Sequence, residues 1–315
     1  MALKQTIEAY ELLDQATVNG EMVATVLRER GLSAEVTPVQ GEEGATDVVR
    51  VIVPGASGKQ GGGEAPTLGI IGQLGGIGAR PAVIGLVSDA DGAITAIACA
   101  LKVADMVKAG DRLPGDVIIT THICPHAPTI PHDPVPFMGS PVETALMHRH
   151  EIHPHMEAIL SIDTTRGNLI INRRGFAISP TVKEGYILKV SPDLLRLMAI
   201  VTGQAPAVLP LTTQDITPYG NGVDHINSIL QPATATDVPV VGVALTAETV
   251  VPGCASGASQ VTDVELAVRF CLEVAKAFGR GECRFYDPGE FERLVALYGS
   301  MKHLQTLGKG LRDET

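Results

Sequence analysis

The sequence predicts an α/β fold: three layers, α/β/α, around a central mixed, mostly parallel sheet. Three observations carry this. Apolar runs of strand length alternate with helical segments along 315 residues, as expected of strands covered on both faces. Hydrophobic residues make up 45% and aromatics only 3%, so the core is built from Val, Ile, Leu and Ala. The 34 glycines and 21 prolines mark many turns, while the apolar fraction excludes a disordered chain.

The elements follow in order. Helices are expected over 3–16 and 20–31, then strands near 34–38 and 47–53. The stretch 55–66, "GASGKQGGGEAP", has the composition of an exposed, flexible loop. "TLGII" (67–71) and "AVIGLV" (82–87) read as strands, and 92–110 as a helix stopped by Gly110. A strand at 115–120 precedes a helix over 140–151 with Ser140 as its cap, and a strand at 157–163 follows. A helix with a Ser cap and a Gly stop fills 191–203; strands are expected at 207–211 and 238–245. Long amphipathic helices close the chain at 260–281 and about 288–304. No repeat or domain boundary stands out, so 1–315 is expected to be a single domain.

Charge and cysteine usage exclude several functions. A formal charge of −11 repels phosphate backbones and anionic membranes, and stacking aromatics are scarce. The N-terminal segment is acidic and amphipathic, unlike a signal peptide, and no stretch is long enough for a membrane span. Five widely spaced cysteines do not form a disulfide framework. A cytoplasmic protein with a small-molecule or peptide substrate, and neither nucleic-acid nor membrane partners, is the expectation.

Metal-capable side chains gather where strands are expected to end, the usual place for ligands in open α/β sheets. Asp89 follows 82–87; His122 and Cys124 follow 115–120; Asp163 closes 157–163; Cys254 lies past 238–245. A carboxylate at the end of an apolar strand is costly without a partner, and a cation shared by Asp89 and Asp163 would supply one. Alternation in an extended segment places His122, Cys124 and His126 on one side, and imidazole and thiolate suit zinc. Asp91 has a simpler reading, as an acidic residue in a first helical turn. The histidines at 148, 150, 153 and 155 read as a solvated helix end. Cys254, among small residues, could be a ligand or a nucleophile, whereas Cys99 and Cys271 sit on apolar helix faces and read as core. The glycines of "GIIGQLGGIGARP" precede Pro81 and another apolar run, not the helix that a dinucleotide loop requires.

"SDADGAITAIACALKVADMVKAGDRLPGDVIIT" resembles the metal-bridging aspartate segment of the zinc exopeptidase superfamily, which includes glutamyl and leucyl aminopeptidases and acetylornithine-deacetylase-like hydrolases. "AILSIDTT", "GNGVDHINSI" and "DVPVVGVALTAETVVPGCASGASQ" are similar to later segments in the right order, over residues 66–280. The stretches 1–65 and 281–315 lie outside the resemblance. The resemblance implies Asp89 and Asp163 as metal ligands and places Asp224 and His225 with Gln73 near the substrate. The chain departs at three positions: Gln73-Leu74-Gly75 stands for a His-x-Asp, His122-Ile123-Cys124-Pro125 for a glutamate pair, and Cys254 or a neighbour for the last histidine. The chain also resembles an uncharacterised prokaryotic family, domain of unknown function 1177.

The expectation is therefore a zinc-exopeptidase-like hydrolase of a small amide or peptide. One divalent metal, zinc first, would be held by Asp89, Asp163 and His122, Cys124, His126 or Cys254, with Asp91 and Glu143 as candidate bases. The superfamily resemblance also implies a homo-oligomer. The alternative is a protein that kept the fold but lost hydrolysis, and binds a small molecule or builds an assembly.

Overall fold

The computed structural model describes residues 1–309. Helices α1 (Leu3–Leu13) and α2 (Gly20–Glu29) open the chain, followed by strands β1 (Ser33–Gln40), β2 (Ala45–Val53) and β3 (Leu68–Gly72). Next come α3 (Asp91–Lys108), β4 (Val117–Ile123), the short β5 (Thr129–Ile130) and β6 (Phe137–Met138), and α4 (Thr144–Glu151). The second half runs β7 (Ala158–Thr164), β8 (Gly175–Ile178), β9 (Val182–Lys183), β10 (Tyr186–Ile187), α5 (Pro192–Thr202), β11 (Val240–Thr246), α6 (Val261–Gly279) and α7 (Pro288–Tyr298). Among the described residues, nine strands form one sheet in the order β1-β2-β4-β3-β7-β11-β9-β10, with β8 beside β11, while β5 and β6 pair separately. The four central strands β4-β3-β7-β11 are parallel and the flanking pairs antiparallel. This is the expected mixed, mostly parallel sheet between helices.

The pairing register fixes which side chains share a face. Ile71 lies beside Thr120 and Ser161, and Gly72 beside Thr121 and Ile162. A Cβ on Gly72 would meet Gly92 and Ala96, so that face packs against α3; a Cβ on Gly69 would meet Met156 and Ile159 on the other face. On that second face Arg50 Nη2 donates to the His150 carbonyl at the end of α4. The central strands carry Val, Ile and Leu on both faces and are buried throughout, as sequences of parallel strands require. Cys99 and Cys271 are both buried in this core.

Several expected elements take other forms. Residues 82–87 form no strand: Pro81 brings no backbone donor, Gly85 sits at φ 93°, and Leu86 N donates to the Asp14 side chain. Only Val87 makes a bridge, to Ser256. Residues 207–211 contribute a single bridge, Ile178 to Val208. Ser140 does not cap α4, which starts at Thr144; its hydroxyl instead accepts from Val142 N. The last expected helix divides into α7 and a 3-10 turn, Lys302–Gln305, at Gly299. The Gly-rich stretch 55–66 is gathered by Asp116, whose carboxylate accepts from Gly55 N and Gln60 N, both at 2.8 Å.

Candidate functional site: a buried aspartate pair

The site lies at the carboxyl ends of the central parallel strands. Asp89 sits in a 3-10 turn, Ser88–Ala90, that runs directly into α3, rather than at a strand end. Its backbone N donates to Gly253 O at 2.9 Å, which ties the turn to the loop after β11. Asp163 is the penultimate residue of β7. Thr164 N donates to its Oδ1 at 2.6 Å and Ser228 Oγ to its Oδ2 at 2.7 Å. Both aspartates are buried, at 4% and 1% exposure.

Burial raises the Asp89 pKa well above the ordinary carboxylate value, and repulsion from Asp163 and Asp91 adds to it. Asp163 is pushed up to about 7 by burial, against the opposing hydrogen bonds from Ser228 and Thr164. The neighbouring cation does not relieve the pair. Arg166 is spent on Asp91, whose Oδ2 accepts from Nε at 3.0 Å and Nη2 at 2.5 Å. Desolvation still raises the Asp91 pKa, with Arg166 opposing. The two aspartates that open this region thus separate in role: Asp91 is locked in a buried ion pair, and Asp89 is left without a hydrogen-bond partner, within reach of the Asp163 charge.

The surroundings keep the Asp89 carboxylate open. A Cβ on Gly253 would lie 3.0 Å from its Oδ1, and one on Gly76 would lie 4.0 Å from its Oδ2. Among the described residues nothing donates a hydrogen bond to this carboxylate. Two buried carboxylates without a cation of the chain, bounded by glycines, fit a small hard cation.

The other expected ligands do not join them. His122 lies in β4 with both ring nitrogens engaged: Gly75 N donates to Nε2 at 2.8 Å, and Nδ1 lies 3.0 Å from Thr46 Oγ1. That leaves no ring nitrogen for a metal. His126 is exposed. Cys124 and Cys254 share a small apolar cluster with Met138, and burial raises both thiols. Cys254 senses the Asp89 charge, but its Sγ points to Pro136 O at 3.8 Å. Among the described residues no three His, Cys, Asp or Glu side chains converge as a metal cluster, so the expected larger ligand set is not brought together.

Of the base candidates, Asp91 is occupied by Arg166, and exposed Glu143 accepts from Glu42 N at 3.0 Å. Asp224 is exposed. His225 bonds Thr217 O through Nε2 at 3.0 Å and packs on Tyr219, with ring centroids 4.4 Å apart. The Ser228 bond to Asp163 sets the 217–228 loop against the pair; Tyr219 of that loop is 39% exposed, and local desolvation of its hydroxyl with the Asp163 charge raises its pKa. Gln73 Nε2 donates to Glu151 Oε2 at 3.2 Å.

Sequence reasoning missed Arg166, Ser228, Asp215 and Glu151. Arg166 had a signal, three residues past Asp163 in "DTTRG". Asp215 had none: it is fully buried and pins the loop by accepting from Ile226 N at 2.9 Å and Thr212 N at 2.9 Å, which delivers Ser228 to Asp163.

Fold and site together define a class: a three-layer α/β protein with a parallel centre to its sheet and two buried carboxylates near the carboxyl ends of those strands. The bottromycin maturation enzyme BotP, solved in complex with Mn, superposes with a TM-score of 0.55 at 15% identity, covering 89% of this chain and 71% of that one. A mutant of tomato leucine aminopeptidase superposes with a TM-score of 0.50 at 12% identity, covering 86% of this chain and 61% of that one. These likenesses establish the fold. No curated protein matches the sequence. The chain belongs to the family described as "Protein of unknown function (DUF1177)", which matches residues 37–308. Among the described residues no helix is long and apolar enough to cross a membrane.

Proposed function

We propose that the chain holds a divalent cation between Asp89 and Asp163 and hydrolyses a small amide or peptide there. The observation that carries this reading is the pair itself: two buried carboxylates brought together from separate elements while the nearest buried arginine is committed to Asp91. Its oxygen donors favour Mn²⁺ or Mg²⁺ over the zinc suggested by cysteine and histidine content. The Mn in the BotP structure, a protein of the same fold, agrees with that preference.

When bound, such a cation supplies Lewis-acid polarisation of a carbonyl and activation of water near neutral pH. The chain's own residues prepare the place. Ser228 and Thr164 N hold both oxygens of Asp163. The Asp91–Arg166 pair fixes the first turn of α3 and the strand exit after β7 relative to each other. Tyr219 and His225 border the pair from the 217–228 loop and would meet the substrate.

One observation favours a second reading. Neither Asp91 nor Glu143 is free to take a proton beside the pair, which suits a cation-dependent binding protein that does not hydrolyse. Calorimetric titration with Mn²⁺, followed by a screen of amino-acid amides and dipeptides, separates the two. Hydrolysis that disappears together with Mn²⁺ binding in Asp89→Ala supports the enzyme. Mn²⁺ binding without turnover favours the binding protein. Full retention of binding and turnover in Asp89→Ala would sink the site.

A further inference from the structure

Beneath α4 the fold buries polar groups that no role above uses. Glu151 is 0% exposed and His148 is 1% exposed. Glu151 Oε2 accepts from Gln73 Nε2 at 3.2 Å and lies 3.3 Å from His148 Nδ1. Glu151 Oε1 and His148 Nε2 are buried without partners. Burying a polar atom unpaired is destabilising, so an apolar side chain would pack more favourably at this position. Stability does not explain why a carboxylate sits there.

What Glu151 does fix is Gln73. A glutamine amide has a donor end and an acceptor end. With the NH₂ end turned to Glu151, the carbonyl Oε1 is kept off that carboxylate. Among the described residues no hydrogen bond takes that oxygen. Gln73 N donates to Ile162 O at 2.8 Å, the bond that closes the Gly72–Ile162 pair at the end of the ladder between β3 and β7, so Gln73 and Asp163 each follow that last pair by one residue. Gly72 and Ile162 face α3, and alternation turns the residues after them to the other face. That face is the one α4 covers, because Gln73 reaches Glu151 on α4. It is also the face of Gly242 against Ile229 and Leu230, next to the Ser228 that bonds Asp163.

We propose that Gln73 Oε1 is a neutral oxygen donor to the cation held by Asp89 and Asp163, and that Glu151 is the positioning residue that turns the amide that way. This rests on the cation reading above. Glu151 itself touches neither the cation nor the substrate; it acts by excluding the amide orientation that would aim an NH₂ at the cation. His148 Nδ1 meets the same oxygen, Oε2, that Gln73 does.

The test is the Mn²⁺ binding isotherm of the whole chain, read for the wild type, Asp163→Asn, Gln73→Leu, Glu151→Leu, Glu151→Gln and the Gln73→Leu/Glu151→Leu double variant. Gln73→Leu and Glu151→Leu are each expected to weaken Mn²⁺ binding by about 10–100-fold. The double variant should be no weaker than the worse single one, because both remove the same oriented oxygen. Glu151→Gln keeps an oxygen acceptor for Gln73 and His148, so its affinity should stay within about threefold of wild type, which a loss through misfolding would not reproduce. If Glu151→Leu does not fold, Glu151→Asp carries the same arm: it draws the acceptor back by one carbon, and weaker binding is expected. Wild-type affinity in Gln73→Leu, or single effects that multiply in the double variant, overturns the proposal. A wild type that takes up no Mn²⁺, or an Asp163→Asn that binds as wild type, overturns the cation reading and this one with it. Loss in Asp163→Asn with none in Gln73→Leu overturns only the role of Gln73.

Discussion

His122 keeps both ring nitrogens occupied inside the fold, so its proton is coupled to stability rather than to a ligand. Because Gly75 N donates to Nε2, the proton of the neutral ring sits on Nδ1 and is given to Thr46 Oγ1, which passes its own to Ile123 O at 3.2 Å. Burial lowers the His122 pKa below 6.5. Between the lowered native value and the unfolded value, the unfolded chain binds a proton that the native chain does not. This contribution to stability is complete above the unfolded value and is lost as pH falls toward the native one. His122→Gln should therefore lose less stability than wild type on going from about pH 7.5 to about pH 5.5, measured by urea unfolding. An identical pH dependence in the two proteins would refute the assignment. The sequence placed His122 correctly at a strand end but not its hydrogen bonds, because nothing local announces Thr46 or Gly75 as partners.

At the scale of elements, the junction between α3 and the sheet positions the site. Gly92, in the first turn of α3, lies against the backbone of two strand ends: a Cβ there would stand 2.4 Å from Gln73 O and 2.6 Å from Ile162 O. Those oxygens lie where the β3–β7 ladder ends, next to Asp163, and Asp91 enters with α3 while Asp89 lies in the turn just before it. Gly92→Ala should push α3 away from the sheet, cost about 1–3 kcal/mol and weaken Mn²⁺ binding. Unchanged unfolding together with an unchanged isotherm would show that the close approach is not needed. Such junctions explain which elements were legible. Runs 67–71, 157–163 and 238–245 read correctly because both faces of a central parallel strand are apolar and nothing interrupts them. Run 82–87 is equally apolar, but Gly85 at φ 93° and a backbone bond from Leu86 to Asp14 turn it into a connection. Most of this run is not buried either, with Ile84 85% exposed, so an apolar run reports neither a strand nor burial by itself.

For the molecule as a whole, the layer order was legible from alternating segments, and so was Asp163 at the end of its strand, whereas Asp89 lies in a turn where a strand end was expected. The reduction of the site to a pair was not, because Arg166, Ser228 and Asp215 arrive from loops whose partners lie far along the chain. The assembled fold holds Asp89 and Asp163 together against desolvation and mutual repulsion, both of which raise the Asp89 pKa. On the proposed cation reading, that arrangement would lower the stability of the metal-free chain and raise its affinity for a cation, the usual trade at a functional site. Asp89→Asn tests both sides of it, since among the described residues no hydrogen bond to the Asp89 carboxylate would be lost. Without metal the variant should be more stable than wild type by on the order of 1 kcal/mol. With Mn²⁺ at a hundredfold excess over its Kd, wild type should gain about 2.7 kcal/mol and the variant almost nothing. The two unfolding curves should therefore exchange order on adding Mn²⁺. A variant less stable than wild type without metal, or one that gains as much from Mn²⁺, would mean that the carboxylates are balanced within the chain and the pair is not built around a cation.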